Sequence, residues 1–126
     1  MPIHNAKFTS FGSYVPKKVI TNFDLEKIVD TTDEWIRVRT GMMERHYAEP
    51  EEAASDLAYI AAQRALEASP LKHRDIDMII VGTVTGDHAF PSTACILQKK
   101  LGMKNIPCFD LSAGCTGFLY SVDVAK

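Results

Sequence analysis

Phe109-Asp110-Leu111-Ser112-Ala113-Gly114-Cys115-Thr116-Gly117-Phe118-Leu119-Tyr120 is the stretch on which the reading of this chain turns. The apolar run 106–111 reads as a buried strand. Small residues then surround one cysteine, and an apolar helical pattern begins at once. Strand, tight turn, reactive side chain and helix is the layout of a nucleophile elbow. Ala113, Gly114 and Gly117 let backbone and substrate approach without side-chain collision. A thiol at a helix N-terminus also meets unpaired N–H groups and the positive end of the dipole, which favour the thiolate and lower the pKa. Cys115 is therefore the candidate nucleophile. The competing reading is a buried structural cysteine whose small neighbours serve only helix-on-sheet packing.

Working outward, strand and helix signals alternate along the chain. Residues 77–85 contain Met78-Ile79-Ile80-Val81, a two-sided apolar run of the buried parallel type. Pro91 and Ser92 open a helix with Ala94, Cys95, Leu97 and Leu101 inward and Gly102 as its stop. Residues 51–68 carry the strongest helical period, closed by Pro70. Residues 6–14 read as an opening strand closed at Val15-Pro16, and Asn22 as the cap of a short helix over 23–29. The Thr31 to Glu34 spacing suggests a capping box for a helix over 32–40 that ends at Gly41. Residues 42–47 are an extended loop or a short strand. The class is α/β, one domain over 1–126, with a mostly parallel mixed sheet and helices on both faces.

The 126 residues are 46% hydrophobic and 24% charged, with a net charge of −2, which supports a core and gives no charge excess that points to nucleic acid. Lys17, Lys18, Arg37, Arg39, Arg45, Lys99 and Lys100 are scattered positive charges, read mainly as solvated surface. No N-terminal apolar segment has the length of a signal peptide or a membrane span. Three cysteines, Cys95, Cys108 and Cys115, lack metal spacing and fit reduced thiols in a cytoplasm, with Cys95 and Cys108 read as inert core thiols. His4, His46 and His73 form no ligand spacing, so no metal is expected, and His88 is assigned no catalytic role. The apolar helical face of Phe118, Leu119, Val122 and Ala125 runs to Lys126 without a cap, which suggests an incomplete protein cut inside that helix.

Thr31, Trp35 and Arg39 are spaced four apart and so share one helical face. An exposed tryptophan offers a stacking platform and arginine a fork for phosphate, together suited to an adenine nucleotide. The alternative has Trp35 anchoring the helix to the core and Arg39 pairing with Glu34 or another acidic neighbour. Gly82 to Pro91 is a loop at the C-terminal end of a strand, where α/β sheets place ligands. Within it Phe90 either shapes an acyl pocket or plugs the core or a subunit contact.

Asp33-Glu34-Trp35-Ile36 with Arg39-Thr40-Gly41 and Glu44-Arg45, then His88-Ala89-Phe90-Pro91-Ser92, then Asp110 to Phe118, resemble in order the β-ketoacyl-acyl-carrier-protein synthase III family. The resemblance implies the first, N-terminal half of a thiolase-like fold. It implies that Cys115 accepts the acyl group, with its backbone N–H as an oxyanion donor, and that Thr31, Trp35 and Arg39 hold coenzyme A. Phe90 would bound the acyl pocket near a homodimer interface. The implied reaction moves an acetyl or other short acyl group from acyl-coenzyme A to Cys115 and then condenses it, with loss of carbon dioxide, with malonyl-acyl-carrier protein, starting fatty acid synthesis. No cofactor is implied beyond acyl-coenzyme A as substrate. A histidine and an asparagine that the family uses would come from the remaining C-terminal part, so this chain alone is expected to lack condensation. Competing readings are another thiolase-fold condensing enzyme of polyketide or quinolone type, a cysteine-dependent α/β hydrolase, and a non-catalytic coenzyme A or carrier-protein binding module. The hydrolase should place its acid and histidine after the nucleophile, and no histidine follows Cys115 here.

Overall fold

A computed structural model describes residues 6–126. His4, considered above as a metal ligand, lies outside the described residues. The chain divides into two units, Val15–Glu52 and the remainder up to Tyr14 with Ala53–Lys126.

The Val15–Glu52 unit contains β1 (Lys18–Thr21), α1 (Asn22–Leu25), α2 (Asp33–Thr40) and β2 (Glu44–Tyr47). β1 and β2 are antiparallel, with Lys18 opposite Tyr47 and Thr21 opposite Glu44, so the ambiguous 42–47 segment contains a strand. The expected helix over 23–29 is α1 alone, and Thr21 rather than Asn22 caps it. The Thr21 hydroxyl accepts from Asp24 N at 3.2 Å and the Asp24 carboxylate accepts from Thr21 N at 3.1 Å, a reciprocal capping box. Asn22 is instead fully buried. Its side-chain amide donates to Asp33 Oδ1 at 2.8 Å and to the Met42 carbonyl at 2.9 Å, and its oxygen accepts from Arg45 at 2.7 Å. A buried amide with all these partners ties the start of α2, the turn after it and β2 to the end of β1.

α2 matches the expected 32–40 helix, with a shifted cap. Thr32, not Thr31, accepts from the N–H three residues on, that of Trp35, at 3.1 Å. Gly41 closes the helix at φ +73°, a left-handed position that glycine takes without steric cost.

The larger unit holds α3 (Ala54–Glu67), β3 (Ile79–Gly82), α4 (Thr93–Lys100), β4 (Cys108–Leu111) and α5 (Gly117–Val124), with 3-10 turns at His73–Asp75 and Gly114–Thr116. β3 and β4 are parallel, with Ile79 beside Cys108 and Gly82 beside Leu111. Side chains alternate across a strand, so β3 divides its contacts between two helices. Ile79 and Val81 pack with Ala94 and Leu97 of α4. Ile80 and Gly82 line an open apolar groove of about 630 Å³ with Phe118, Ser121 and Val122 of α5. Helices thus cover both faces, as the continuous apolar run of β3 implied.

The expected strand over 6–14 is not formed: among the described residues no strand lies beside it, and a strand needs a ladder partner. The segment packs through aromatic rings, with Phe8 stacked on Phe11 at 5.5 Å and on Phe118 at 6.3 Å between centroids. Gly12 faces α3, where a Cβ would collide with the backbone of Ala61 and Ala65. The Arg64 guanidinium donates to the Ser13 carbonyl at 2.6 Å. The helix expected over 51–68 begins at Ala54, because 49–52 form a turn in which Glu52 N donates to the Glu49 carbonyl at 2.9 Å.

Candidate functional site

Cys115 stands where β4 hands over to α5, as the middle residue of the 3-10 turn Gly114–Thr116. The sequence places it at the first turn of an α-helix, but α5 starts two residues later at Gly117. The turn forms because Gly114 adopts φ +51°, and because Thr116 donates twice to the Ala113 carbonyl, from its N–H at 3.2 Å and its hydroxyl at 2.8 Å. The two backbone bonds that close the turn use the N–H groups of Thr116 and Gly117, which leaves that of Cys115 outside the turn's own hydrogen bonding. Cys115 is exposed, and its sulfur makes no hydrogen bond among the described residues. The buried-cysteine alternative does not describe this position.

Two features hold the turn in place. Gly82 lies against Gly117, and a Cβ on Gly82 would sit 3.3 Å from the Gly117 carbonyl carbon, so α5 approaches β3 at backbone distance. Asp110, on β4 five residues before Cys115, accepts from Thr93 N at 2.7 Å and from Ala94 N at 2.8 Å. A carboxylate on the first amides of a helix satisfies two orphan donors and complements the dipole. Sequence reading missed this role of Asp110, and its signal was an acid inside an otherwise apolar strand.

The Asp87 carboxylate extends this framework by accepting from Ser55 N at 2.8 Å, and Asp87 N donates to the Thr93 hydroxyl at 3.1 Å. The loop so anchored presents Phe90, 89% exposed, joined to Pro91 by a cis peptide bond. Phe90 is therefore no core plug. His88 in the same loop is exposed.

In the other unit Trp35 is 55% exposed, while its neighbour Ile36 is the buried residue of α2. The core-anchor alternative for Trp35 gives way to an exposed ring. The Arg39 guanidinium carbon lies 4.9 Å from the Trp35 ring centroid, a cation–π geometry. The ion pair on this helix joins Arg37 and Asp33 at 3.5 Å and does not use Arg39 or Glu34. Thr31 and Trp35 line a recess of about 420 Å³ with Asp30 and Thr32.

Among the described residues no group of three or more His, Cys, Asp or Glu is placed to hold a metal ion, and no helix is long and apolar enough to cross a membrane. Cys95 and Cys108, read as inert core thiols, are half-buried and not core residues, and they stand with their sulfurs 3.3 Å apart.

No family model matches the chain. Individual relatives do. It is 59% identical over 115 residues to the β-ketoacyl-[acyl-carrier-protein] synthase III of Caldanaerobacter subterraneus, covering 91% of this chain and 35% of the relative. It is 54% identical over 121 residues to the enzyme of that name from Xylella fastidiosa, covering 96% and 37%. The crystal structure of 3-oxoacyl-[acyl-carrier-protein] synthase III from Aquifex aeolicus superposes with a TM-score of 0.87 at 50% identity, over 93% of this chain and 38% of that one. The priming β-ketosynthase of the R1128 polyketide pathway superposes with a TM-score of 0.86 at 33% identity, over 99% and 38%. The chain thus spans little more than a third of the length of these relatives. As a segment of that length, it belongs by sequence and by thiolase-type fold to the β-ketoacyl-[acyl-carrier-protein] synthase III family.

Proposed function

We propose that the protein carrying this segment is a β-ketoacyl-[acyl-carrier-protein] synthase III, with Cys115 as its acyl acceptor. The observation that carries the reading is an exposed thiol in a glycine-built turn between a parallel strand and a helix, in a chain 54–59% identical to enzymes of that name.

The Cys115 thiolate attacks the carbonyl of acetyl-coenzyme A or another short acyl-coenzyme A, and coenzyme A departs as its thiolate. Negative charge on the carbonyl oxygen is met by the Cys115 N–H, which the turn leaves uncommitted and fixed in direction. Covalent capture splits a difficult bond formation into two easier steps. In the second step malonyl-acyl-carrier protein loses carbon dioxide, its carbanion attacks the acyl-cysteine, and the Cys115 thiolate leaves. That step calls on groups outside this chain, which contributes the nucleophile-bearing, N-terminal part over 1–126. The Trp35 ring stacks on the adenine of coenzyme A, and Arg39, already drawn over that ring, faces its phosphates, with Thr31 in the adjoining recess. Phe90 bounds the acyl pocket of a cytoplasmic homodimer that uses acyl-coenzyme A as substrate and no separate cofactor.

The test is the full-length protein with acetyl-coenzyme A and malonyl-acyl-carrier protein. Formation of acetoacetyl-acyl-carrier protein with release of carbon dioxide, abolished by Cys115→Ser, supports the reading. Free acetate without carbon–carbon bond formation refutes it. The R1128 likeness favours a second reading, a polyketide-priming synthase, which turnover with a polyketide carrier protein in place of the fatty-acid one would select.

A further inference from the structure

Two cysteines that the acyl-transfer reading does not use face each other across the α4–β4 packing. Cys95 lies in the first turn of α4, its N–H donating to the Ser92 hydroxyl at 3.2 Å, and Cys108 is the first residue of β4. Their sulfurs are 3.3 Å apart and share a hydrogen bond. A disulfide bond is about 2.05 Å long, so closing the pair asks for an approach of little more than about 1 Å. Both residues keep partial solvent exposure, which lets a small reagent reach them.

We propose that Cys95 and Cys108 form a thiol–disulfide exchange site that takes small-molecule disulfides of the glutathione class and closes into a bond stapling α4 to β4. The two thiols are unequal in a way that assigns their order. The Ser92 hydroxyl, and then the Cys108 S–H, hydrogen-bond the Cys95 sulfur and draw its thiol below the ordinary cysteine value. The α4 N-terminus adds to that preference for the thiolate. Burial first, and the neighbouring Cys95 second, push Cys108 up to about 11. Cys95 is the attacking sulfur and Cys108 the resolving one.

The Cys95 thiolate attacks one sulfur of glutathione disulfide. The S–S bond breaks, one glutathione leaves as its thiolate, and a mixed disulfide remains on Cys95. Cys108 gives up its proton to the released thiolate and attacks the Cys95 sulfur, expelling the second glutathione. The protein dithiol loses two electrons, and glutathione disulfide gains them as it becomes two thiols.

The experiment incubates the Cys115→Ser chain with excess glutathione disulfide, quenches with acid and digests with trypsin without reduction. Lys99 and Lys104 lie between the cysteines, so cleavage puts Cys95 in peptide 75–99 and Cys108 in peptide 105–126. The expected result is an intact mass lower by two hydrogens, no retained glutathione, and those two peptides joined. Cys108→Ser in the same background should instead keep one glutathione on Cys95. Two free thiols after incubation, or stable glutathione adducts on the chain with both cysteines, overturn the proposal. In the unsubstituted chain Cys108 and Cys115 share a peptide. Fragment spectra of its joined peptides should locate the bond at Cys95 and Cys108, a readout that does not depend on any variant folding.

Discussion

Replacing Asp110 by alanine removes the acceptor for two helix-initiating amides at once. Thr93 and Ala94 are fully buried, so their N–H groups have no water to turn to when the carboxylate is gone. A hydrogen bond to a charged acceptor contributes about 1.5–3 kcal/mol, and an orphaned buried donor costs a similar amount. The helix N-terminus loses its compensating charge as well, for about 0.3–1 kcal/mol. Some relaxation of the loop at Gly86 and Asp87 offsets part of the sum, so Asp110→Ala should destabilise the chain by about 3 kcal/mol or more. Asp110→Asn keeps one carbonyl acceptor and should lose about half of that. In urea, with an m-value of about 2 kcal/mol/M, the alanine variant's midpoint falls by about 1.5 M. Circular dichroism across a urea series reads the shift. An alanine variant within about 0.5 kcal/mol of the parent chain refutes the reasoning, because two unsatisfied buried amides cannot cost so little.

Asn22→Ala deletes the amide that joins β1, α2 and β2, and should cost about 2–4 kcal/mol, with amide exchange at Glu44–Tyr47 accelerating more than at Ile79–Gly82. Trp35→Ala should weaken coenzyme A binding about tenfold or more, by the worth of one base stacked on an aromatic ring, as read by calorimetry on the full-length protein. Arg39→Ala, at an exposed position, should weaken it about fivefold or less, and less still at high salt. Neither change should alter the rate at which iodoacetamide alkylates Cys115.

The elements that sequence made legible are those whose residues hold their own signals. The two-sided apolar run at Ile79 to Val81, the Ser92 cap and the stop at Gly102 belong to single segments, and β3 and α4 stand where those signals fall. Residues 6–14 misled because Phe8, Phe11 and Tyr14 among small residues signal apolar packing, while a strand also needs a neighbour. Asn22 misled because cap and buried hub demand the same short polar amide, and only the distant partners Asp33, Met42 and Arg45 decide between them. The Cys115 turn was legible from its small residues, but the 3-10 geometry that separates the thiol from α5 follows from the positive φ of Gly114, which no periodicity reports. The closeness of Cys95 and Cys108 depends on how α4 lies on β4. It had no signal beyond one inward cysteine on each.

The proposed chemistry requires that Cys115 take an acyl group while the other two thiols do not. Exposing the chain to acetyl-coenzyme A and mapping its tryptic peptides by mass spectrometry addresses that directly. One acetyl group is expected in peptide 105–126, bonded to Cys115 as a thioester that neutral hydroxylamine removes, with Cys95 and Cys108 unmodified. An acetyl group on Cys95 or Cys108 with Cys115 unmodified would contradict the assignment.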